Sequence, residues 1–351
     1  MGRVSGKRIL AIAIYLVVVI TLTPFIVEGL VRLIGLAPRL SNQYGNMVTD
    51  PYLPFKPRPF SMVAGRSASN EYDFEHRYNS MGFRDVEHPI AKPAGTFRIL
   101  GLGDSFALGA GAPFEQTFLC RLEAMLNARP GSHPQVEIIK AGISDYFPEP
   151  ERLLLQHYGL MFRPDVVLVA FLPNDVIGTF RGLNHVKVTK MGYLQTQEAE
   201  ELGATALWLY LHSHIARILL RKQTSKKIEK TFPFKWPEVY RPDGFHEKDW
   251  QTVESEFEKM IGLAHRNKAE IVFIHIPQNP PWNAGSDYPG ERLSKWCAGK
   301  GVTFVDTLPA LRNASRTKVV YWKKDGHCNG DGYGVIAETI YSVLTEKKLV
   351  P

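Results

Sequence analysis

Five short apolar runs constrain this chain more than any other feature: FRILGLG (97–103), VEIIKAG (136–142), DVVLVAF (165–171), EIVFIHIP (270–277) and VTFVDT (302–307). Each is rich in β-branched residues and too short for a buried helix. Most are separated by stretches of helical spacing, clearest at FLCRLEAML (118–126), ERLLLQHYGLMF (151–162) and WQTVESEFEKMIGLAHRN (250–267). Near-continuous apolar strands alternating with helices predict a parallel sheet covered on both faces, an α/β fold of three layers. In such sheets the working residues gather beyond the carboxyl ends of the strands.

A second apolar run has a different character. Ile9 to Val27 carry no charge over nineteen residues, and at 1.5 Å rise per residue this approaches the roughly 30 Å hydrocarbon core of a bilayer. The run is longer than the apolar part of a signal peptide, and no small-x-small cleavage site follows it. It predicts one N-terminal transmembrane helix over 9–28. Arg3, Lys7 and Arg8 precede the run, which predicts a cytoplasmic tail over 1–8 and a single-pass protein whose remainder lies outside the cytoplasm, in the periplasm of a Gram-negative cell.

Those three cations, with a net four charges between Arg221 and Lys230, account for the formal net charge of +7. An excess held in two patches, with no nucleic-acid-binding motif, argues against a nucleic-acid partner. The expected contacts are the bilayer, through residues 9–28, and a substrate. With 44% hydrophobic residues the chain has ample material for a core. Cys120, Cys297 and Cys328 can form one bridge at most, which excludes a disulfide scaffold. No cofactor or metal site is expected, since His212 and His214 lie two apart and a helix would point them to different faces.

Residues 29–95 are proline-rich. PYLPFKPRPF (51–60) reads as extended linker or as a segment lying along a surface. The alternation of YDFEHRYNSMGFRD (72–85), with a turn at Asn79–Gly82, predicts a short hairpin on the main domain. That domain spans 96–351, with an insertion at about 176–249. Within the insertion, 206–222 reads as an amphipathic helix packed on the sheet, with a membrane-surface or active-site-capping role as the alternative. Trp208 and Trp236 read as core, with the lining of a sugar cleft as the alternative.

Chemistry enters at the strand ends. GLGDSFALGAG (101–111) follows the first strand and presents Ser105 on a turn between glycines; it lacks the glycine at 106 that a dinucleotide fingerprint needs and the Gly-Lys-Ser/Thr of a P-loop. Gly142 ends the second strand. Asn174 and Asp175 follow the third, and KKDGHCNGDGY (323–333) brings Asp325 two residues before His327. Each piece alone has a structural explanation as a turn or cap.

Their order and placement, over about Thr96 to Thr345, resemble the four signature blocks of the SGNH hydrolases, the GDSL-type esterases and lipases. The resemblance implies a flavodoxin-like sheet of roughly five parallel strands. It implies Ser105 as nucleophile, His327 as base and Asp325 as the acid that orients it, with an oxyanion hole made by the Ser105 and Gly142 N–H groups and the Asn174 amide. The chain departs from the family pattern twice. Its acid stands two residues before the histidine rather than three, a spacing similar to that of alginate-type polysaccharide O-acetyltransferases, with Asp331 as a weaker substitute. Leu172, followed by Pro173, stands where the third block carries glycine.

The expectation is therefore an anchored serine esterase forming an acyl-enzyme from a small acyl ester, such as acetyl, of an envelope glycan or lipid. One alternative is an O-acetyltransferase of a cell-surface or exported polysaccharide using the same site. The other is a non-catalytic anchored glycan-binding or scaffold protein. Substrate-binding residues and oligomeric state are not legible.

Overall fold

The computed structural model describes residues 6–37, 45–67, 69–129, 131, 133–189, 192–196, 203–220, 242, 246–278 and 287–351. The chain opens on α1 (Gly6–Ile34), then makes two short antiparallel pairs, β1 (Met47–Val48) with β2 (Lys56–Pro57) and β3 (Met62–Arg66) with β4 (Asp73–Arg77). Next come β5 (Thr96–Leu102), α2 (Ser105–Leu108), α3 (Phe118–Asn127), β6 (Gln135–Lys140), α4 (Pro148–His157), β7 (Val166–Phe171) and α5 (Asn174–Arg181). A small pair, β8 (Val186–Val188) and β9 (Leu194–Thr196), precedes α6 (Gly203–His212). The rest is α7 (Glu247–Arg266), β10 (Glu270–His275), α8 (Tyr288–Lys300), β11 (Thr303–Asp306), α9 (Leu308–Ala314) and α10 (Gly330–Glu346).

Two compact units result, Met1–Leu40 with Gln197–Pro233, and Ser41–Thr196 with Phe234–Pro351. The larger one holds a five-stranded sheet in the order β11-β10-β7-β5-β6, parallel throughout. Counted along the chain this is the order 2-1-3-4-5, which reverses direction between β5 and β7.

Alternate residues of each strand enter opposite layers. Leu100, Leu102, Val167, Val169, Phe171 and Phe273 face a layer that includes Leu154, Trp250, Phe257, Met260 and Leu293 from α4, α7 and α8. Ile99, Ile138, Val166, Leu168, Val272 and Ile274 face Leu119, Leu122, Ile336 and Ile340 from α3 and α10. Each fully buried side chain of this kind contributes about 1.5–3 kcal/mol. Burial on both faces is why the strands read as continuous apolar runs, and the three-layer α/β/α expectation holds.

Two expectations about the N-terminal third change. Residues 51–60 are no linker: Leu53 and Phe55 are buried in the large unit, Tyr146 donates its hydroxyl to Phe55 O, and Tyr158 donates to Asp50 Oδ2 at 2.7 Å. The hairpin pairs 73–77 with 62–66, upstream, rather than across Asn79–Gly82. The turn at Asn79 does form, its Oδ1 accepting from Met81 and Phe83 N–H at 3.0 Å each. It serves to bury Phe83 and Arg84.

In the small unit, α1 contains a 25-residue, predominantly apolar stretch, Leu10–Ile34; among the described residues it is the one helix long and apolar enough to cross a membrane. The helix expected over 206–222 ends at His212 and restarts over 214–220. Within the small unit this segment meets α1. Glu28 of α1 accepts from Ser213 Oγ, His214 N–H and Ile215 N–H at 2.9, 2.7 and 3.0 Å, which caps the second segment. Trp208 is exposed rather than core; Trp236 and the basic run 221–230 lie outside the described residues. The insertion expected from 176 begins inside α5.

Candidate active site

The chain leaves β5 at Leu102 and turns into α2 within two residues. Gly103 holds φ +146, and a Cβ there would come 2.8 Å from Ala107 Cβ and 3.0 Å from that of Ala170, so the turn requires glycine. Asp104 caps α2, its Oδ1 accepting from Phe106 N–H at 2.9 Å. Ser105 is thereby held at the helix start, half-buried, with its Oγ 2.7 Å from His327 Nε2. The ring of Phe106 covers one side of that imidazole, its centroid 4.9 Å away.

His327 and Asp325 sit on one tight loop. Trp322 N–H donates to His327 O at 2.8 Å and Gly326 N–H to Trp322 O at 3.0 Å, beside a β-bridge between Tyr321 and Cys328. Gly326 takes φ +85, which reverses the chain in a single residue. This accounts for the short Asp-x-His spacing: His327 Nδ1 is hydrogen-bonded to Asp325 Oδ1. A carboxylate at Nδ1 fixes the proton there and leaves the Nε2 lone pair for the serine hydroxyl. Asp331 stands elsewhere, exposed and 3.8 Å from Lys318 Nζ.

Two residues from the turn between β3 and β4 reach the same loop. Tyr72 donates its hydroxyl to Asp325 Oδ1 at 3.2 Å. The Glu71 carboxylate accepts from Lys324 N–H at 2.9 Å and from Asp325 N–H at 2.8 Å. Burial raises the Asp325 carboxyl, but hydrogen bonding and charge from His327, with the bond from Tyr72, outweigh it and hold the group below the usual carboxylate range. Burial and the Asp325 charge push the Tyr72 phenol up, so it keeps the proton it donates.

Gly142 follows β6, between Ala141 and Ile143, whose N–H groups donate to Gly101 O and Gly103 O at 2.8 and 3.0 Å. A Cβ on Gly142 would lie 2.3 Å from Leu108 N and 2.4 Å from Ala107 C, so the chain passes directly against α2. Asn174 opens α5 beyond β7, and its Nδ2 donates to Asp104 Oδ2 at 2.8 Å. Leu172 replaces the family glycine without loosening this end. It is buried, and its N–H donates to Asp175 Oδ2 at 2.9 Å.

A cluster of acids lies beneath. Asp104, Glu151 and Asp175 are almost wholly buried. Burial raises the Asp104 carboxyl despite bonds from Asn174 and Phe106. It raises Glu151 and Asp175 well above the carboxylate range, helped for both by the charge of Asp104.

Ser105, Gly142 and Asn174 thus follow β5, β6 and β7 on one edge of the sheet, around the point where strand order reverses. The sequence gives no sign of Glu71, Tyr72 or Asp104 as neighbours of the site, apart from the adjacency of Asp104 to the serine. A cavity of about 700 Å³ lined by Phe74, Arg84, Ala112 and Phe114 adjoins the hairpin without reaching Ser105 or His327. Among the described residues, His275, Asp287 and Asp306 are the one group whose donor atoms, within 4.8 Å of one another, have metal-ligand spacing. Asp306 there already accepts from Leu308 N–H and from His275.

The model of the GDSL-like lipase/acylhydrolase family matches residues 102–335, more than half of the chain. The chain belongs to that family. The GDSL-like match begins at the end of β5 and closes in α10, so it takes in the three strand-end positions Ser105, Gly142 and Asn174 and the Asp-x-His loop. The GDSL-like chain is a serine hydrolase of the esterase type. Among solved structures it is similar to a lipolytic G-D-S-L family protein from Veillonella parvula DSM 2008, with 14% identity over 71% of this chain and 98% of that one and a TM-score of 0.42. It is also similar to a catalytic mutant of an acetylxylan esterase from Geobacillus stearothermophilus, with 11% identity over 72% and 95% and a TM-score of 0.42. A comparison with curated protein sequences gives no match.

Proposed function

We propose that this GDSL-like hydrolase is a membrane-anchored, extracytoplasmic esterase that removes a small acyl group such as acetyl from an envelope glycan or lipid. The observation that carries the chemistry is the line from Asp325 through His327 to Ser105 Oγ. A serine hydroxyl is a poor nucleophile until a neighbouring base takes its proton. His327 Nε2 accepts that proton as Oγ attacks the ester carbonyl, and Asp325 stabilises the imidazolium. The resulting oxyanion takes hydrogen bonds from the Ser105 and Gly142 N–H groups and the Asn174 amide. Collapse breaks the ester C–O bond, the imidazolium protonates the leaving alcohol, and an acyl-Ser105 intermediate is left. Water, deprotonated by His327, then releases the acid and restores the serine.

The Asp325–Gly326–His327 spacing favours a second reading in which a sugar hydroxyl replaces water, which would make the protein an O-acetyltransferase. Arg3, Lys7 and Arg8 ahead of the uncharged stretch of α1, and that stretch itself, support the anchor and its orientation.

The full chain in detergent is expected to release p-nitrophenol from p-nitrophenyl acetate, with Ser105→Ala reducing the rate by about 10⁴-fold or more. Equal rates for the two proteins would refute the nucleophile. Mass spectrometry with oligosaccharide acceptors separates the two readings: free acetate alone supports the esterase, acetylated sugar the transferase. A reporter enzyme that is active only outside the cytoplasm, fused after residue 37, is expected to be active in cells; an inactive fusion would reverse the topology.

A further inference from the structure

We propose that Glu71 and Tyr72 are positioning residues for the catalytic acid, so that the hairpin ahead of the hydrolase domain completes the active site. The inference rests on reading Ser105, His327 and Asp325 as the triad, and assigns the neighbouring segment a task in the same reaction.

Asp325 lies beyond the sheet, on a loop whose own hydrogen bonds join Trp322 to Gly326 and His327. Those bonds close the loop, and His327 bonds the carboxylate from within it. From outside the loop, Tyr72 bonds the same carboxylate and Glu71 holds the backbone that carries it. The Tyr72 hydroxyl shares Oδ1 of Asp325 with His327 Nδ1, so the oxygen that orients the imidazole is held from two sides. The Glu71 carboxylate takes the N–H groups of Lys324 and Asp325 together, and bonds to a charged acceptor are about twice as strong as neutral ones.

The hairpin is rigid enough for this task. Ser67, buried, accepts on its Oγ from Glu71 N–H at 3.1 Å and Tyr72 N–H at 3.3 Å, and its own N–H donates to Tyr72 O at 2.8 Å. The Tyr72 ring packs on Trp322 at 5.3 Å between centroids, and Trp322 Nε1 donates to Gly111 O at 2.7 Å. Just beyond β4, the buried guanidinium of Arg84 donates to Leu108, Gly109 and Ala112 carbonyls at 3.1, 2.8 and 3.1 Å. One segment thereby holds both the loop that follows the nucleophile and the loop that carries the acid.

Tyr72→Phe tests the assignment, because it keeps the ring on Trp322 and removes only the hydroxyl. With p-nitrophenyl acetate and the full chain in detergent, kcat should fall about tenfold, the scale of one hydrogen bond to a charged group. KM and the melting temperature should stay near wild type. The acidic limb of kcat/KM should move to higher pH, because a carboxylate short of one donor is a stronger base and holds the imidazolium more tightly. Glu71→Ala should also lower kcat with little change in KM. Wild-type kcat and pH profile in Tyr72→Phe, beside an inactive Ser105→Ala, would overturn the positioning role and leave the triad standing. A kcat loss that tracks a lowered melting temperature and disappears on cooling would reduce Tyr72 to a structural residue. An active Ser105→Ala would remove the triad reading and this inference with it.

Discussion

Asn174 Nδ2 donates to Oδ2 of Asp104 at 2.8 Å, so the residue ahead of Ser105 also holds the amide at the end of the third sheet strand. Two strand ends on either side of the reversal in strand order are tied by one part-buried bond. Asn174→Ala is expected to lower kcat by about 10²–10³-fold, as loss of one oxyanion donor does. Asp104→Ala should lower kcat less, and destabilise the protein by about 1 kcal/mol through loss of the α2 cap. Steady-state kinetics and thermal melting on the same samples check both; a larger kcat effect from Asp104 than from Asn174 would contradict the arrangement.

Asp325→Asn should keep the loop, whose turn depends on Gly326, and lower kcat by about 10³–10⁴-fold by favouring the wrong imidazole tautomer. The same substitution has a stability signature. The Asp325 carboxyl lies below its ordinary range in the folded protein, so its contribution is present above the unfolded-state value and is lost as pH falls through the folded one. The melting temperatures of wild type and Asp325→Asn should therefore converge toward acid. Parallel curves from pH 7 down to 3 would contradict this.

Glu151 carries the opposite sign. Burial raises its carboxyl well above the ordinary range, so the folded state binds its proton more tightly than the unfolded chain does. Stability from this group is full below the unfolded-state value and is lost as pH rises toward the folded one. Wild type should lose melting temperature between pH 5 and 8 relative to Glu151→Gln, with a gap that grows by about 2–4 °C for each kcal/mol involved. A gap independent of pH would show that the carboxyl does not titrate differently on folding.

Gly142→Ala would place a methyl group 2.3 Å from Leu108 N, against backbone that cannot rotate away. Overpacking of this kind costs about 1–3 kcal/mol, and it pushes α2, with Ser105, away from His327. A lowered melting temperature with kcat reduced at least tenfold is the expected result; a fully active, equally stable variant would mean that the two segments are farther apart.

Much of this was legible in the sequence because β5, β7 and β10 are buried on both faces over most of their length, and such strands write themselves as near-continuous apolar runs. Ser105, Gly142 and Asn174 were legible because parallel strands deliver their ends to one edge, and Asp325 and His327 because they are neighbours in the chain. Tyr72 meets Asp325 across 253 positions, from an irregular segment with no period to follow. The turn at Asn79 misled because Asn-to-Gly spacing reports a chain reversal without saying whether strands or a buried arginine follow. α10 escaped because Gly330, Gly332 and Gly334 weaken its start, and much of the helix is buried, from Gly332 to Leu344, so its apolar stripe is broad.

Asp325 and His327, the proposed acid and base, ride on the same short loop, reversed by Gly326. A shift of that loop withdraws both partners together, so along this coordinate the serine meets either the whole proton relay or none of it. On the proposed roles, tuning such an enzyme is a matter of where one small segment rests, and Glu71 and Tyr72, which clasp the loop from outside, would set the fraction of molecules that can turn over.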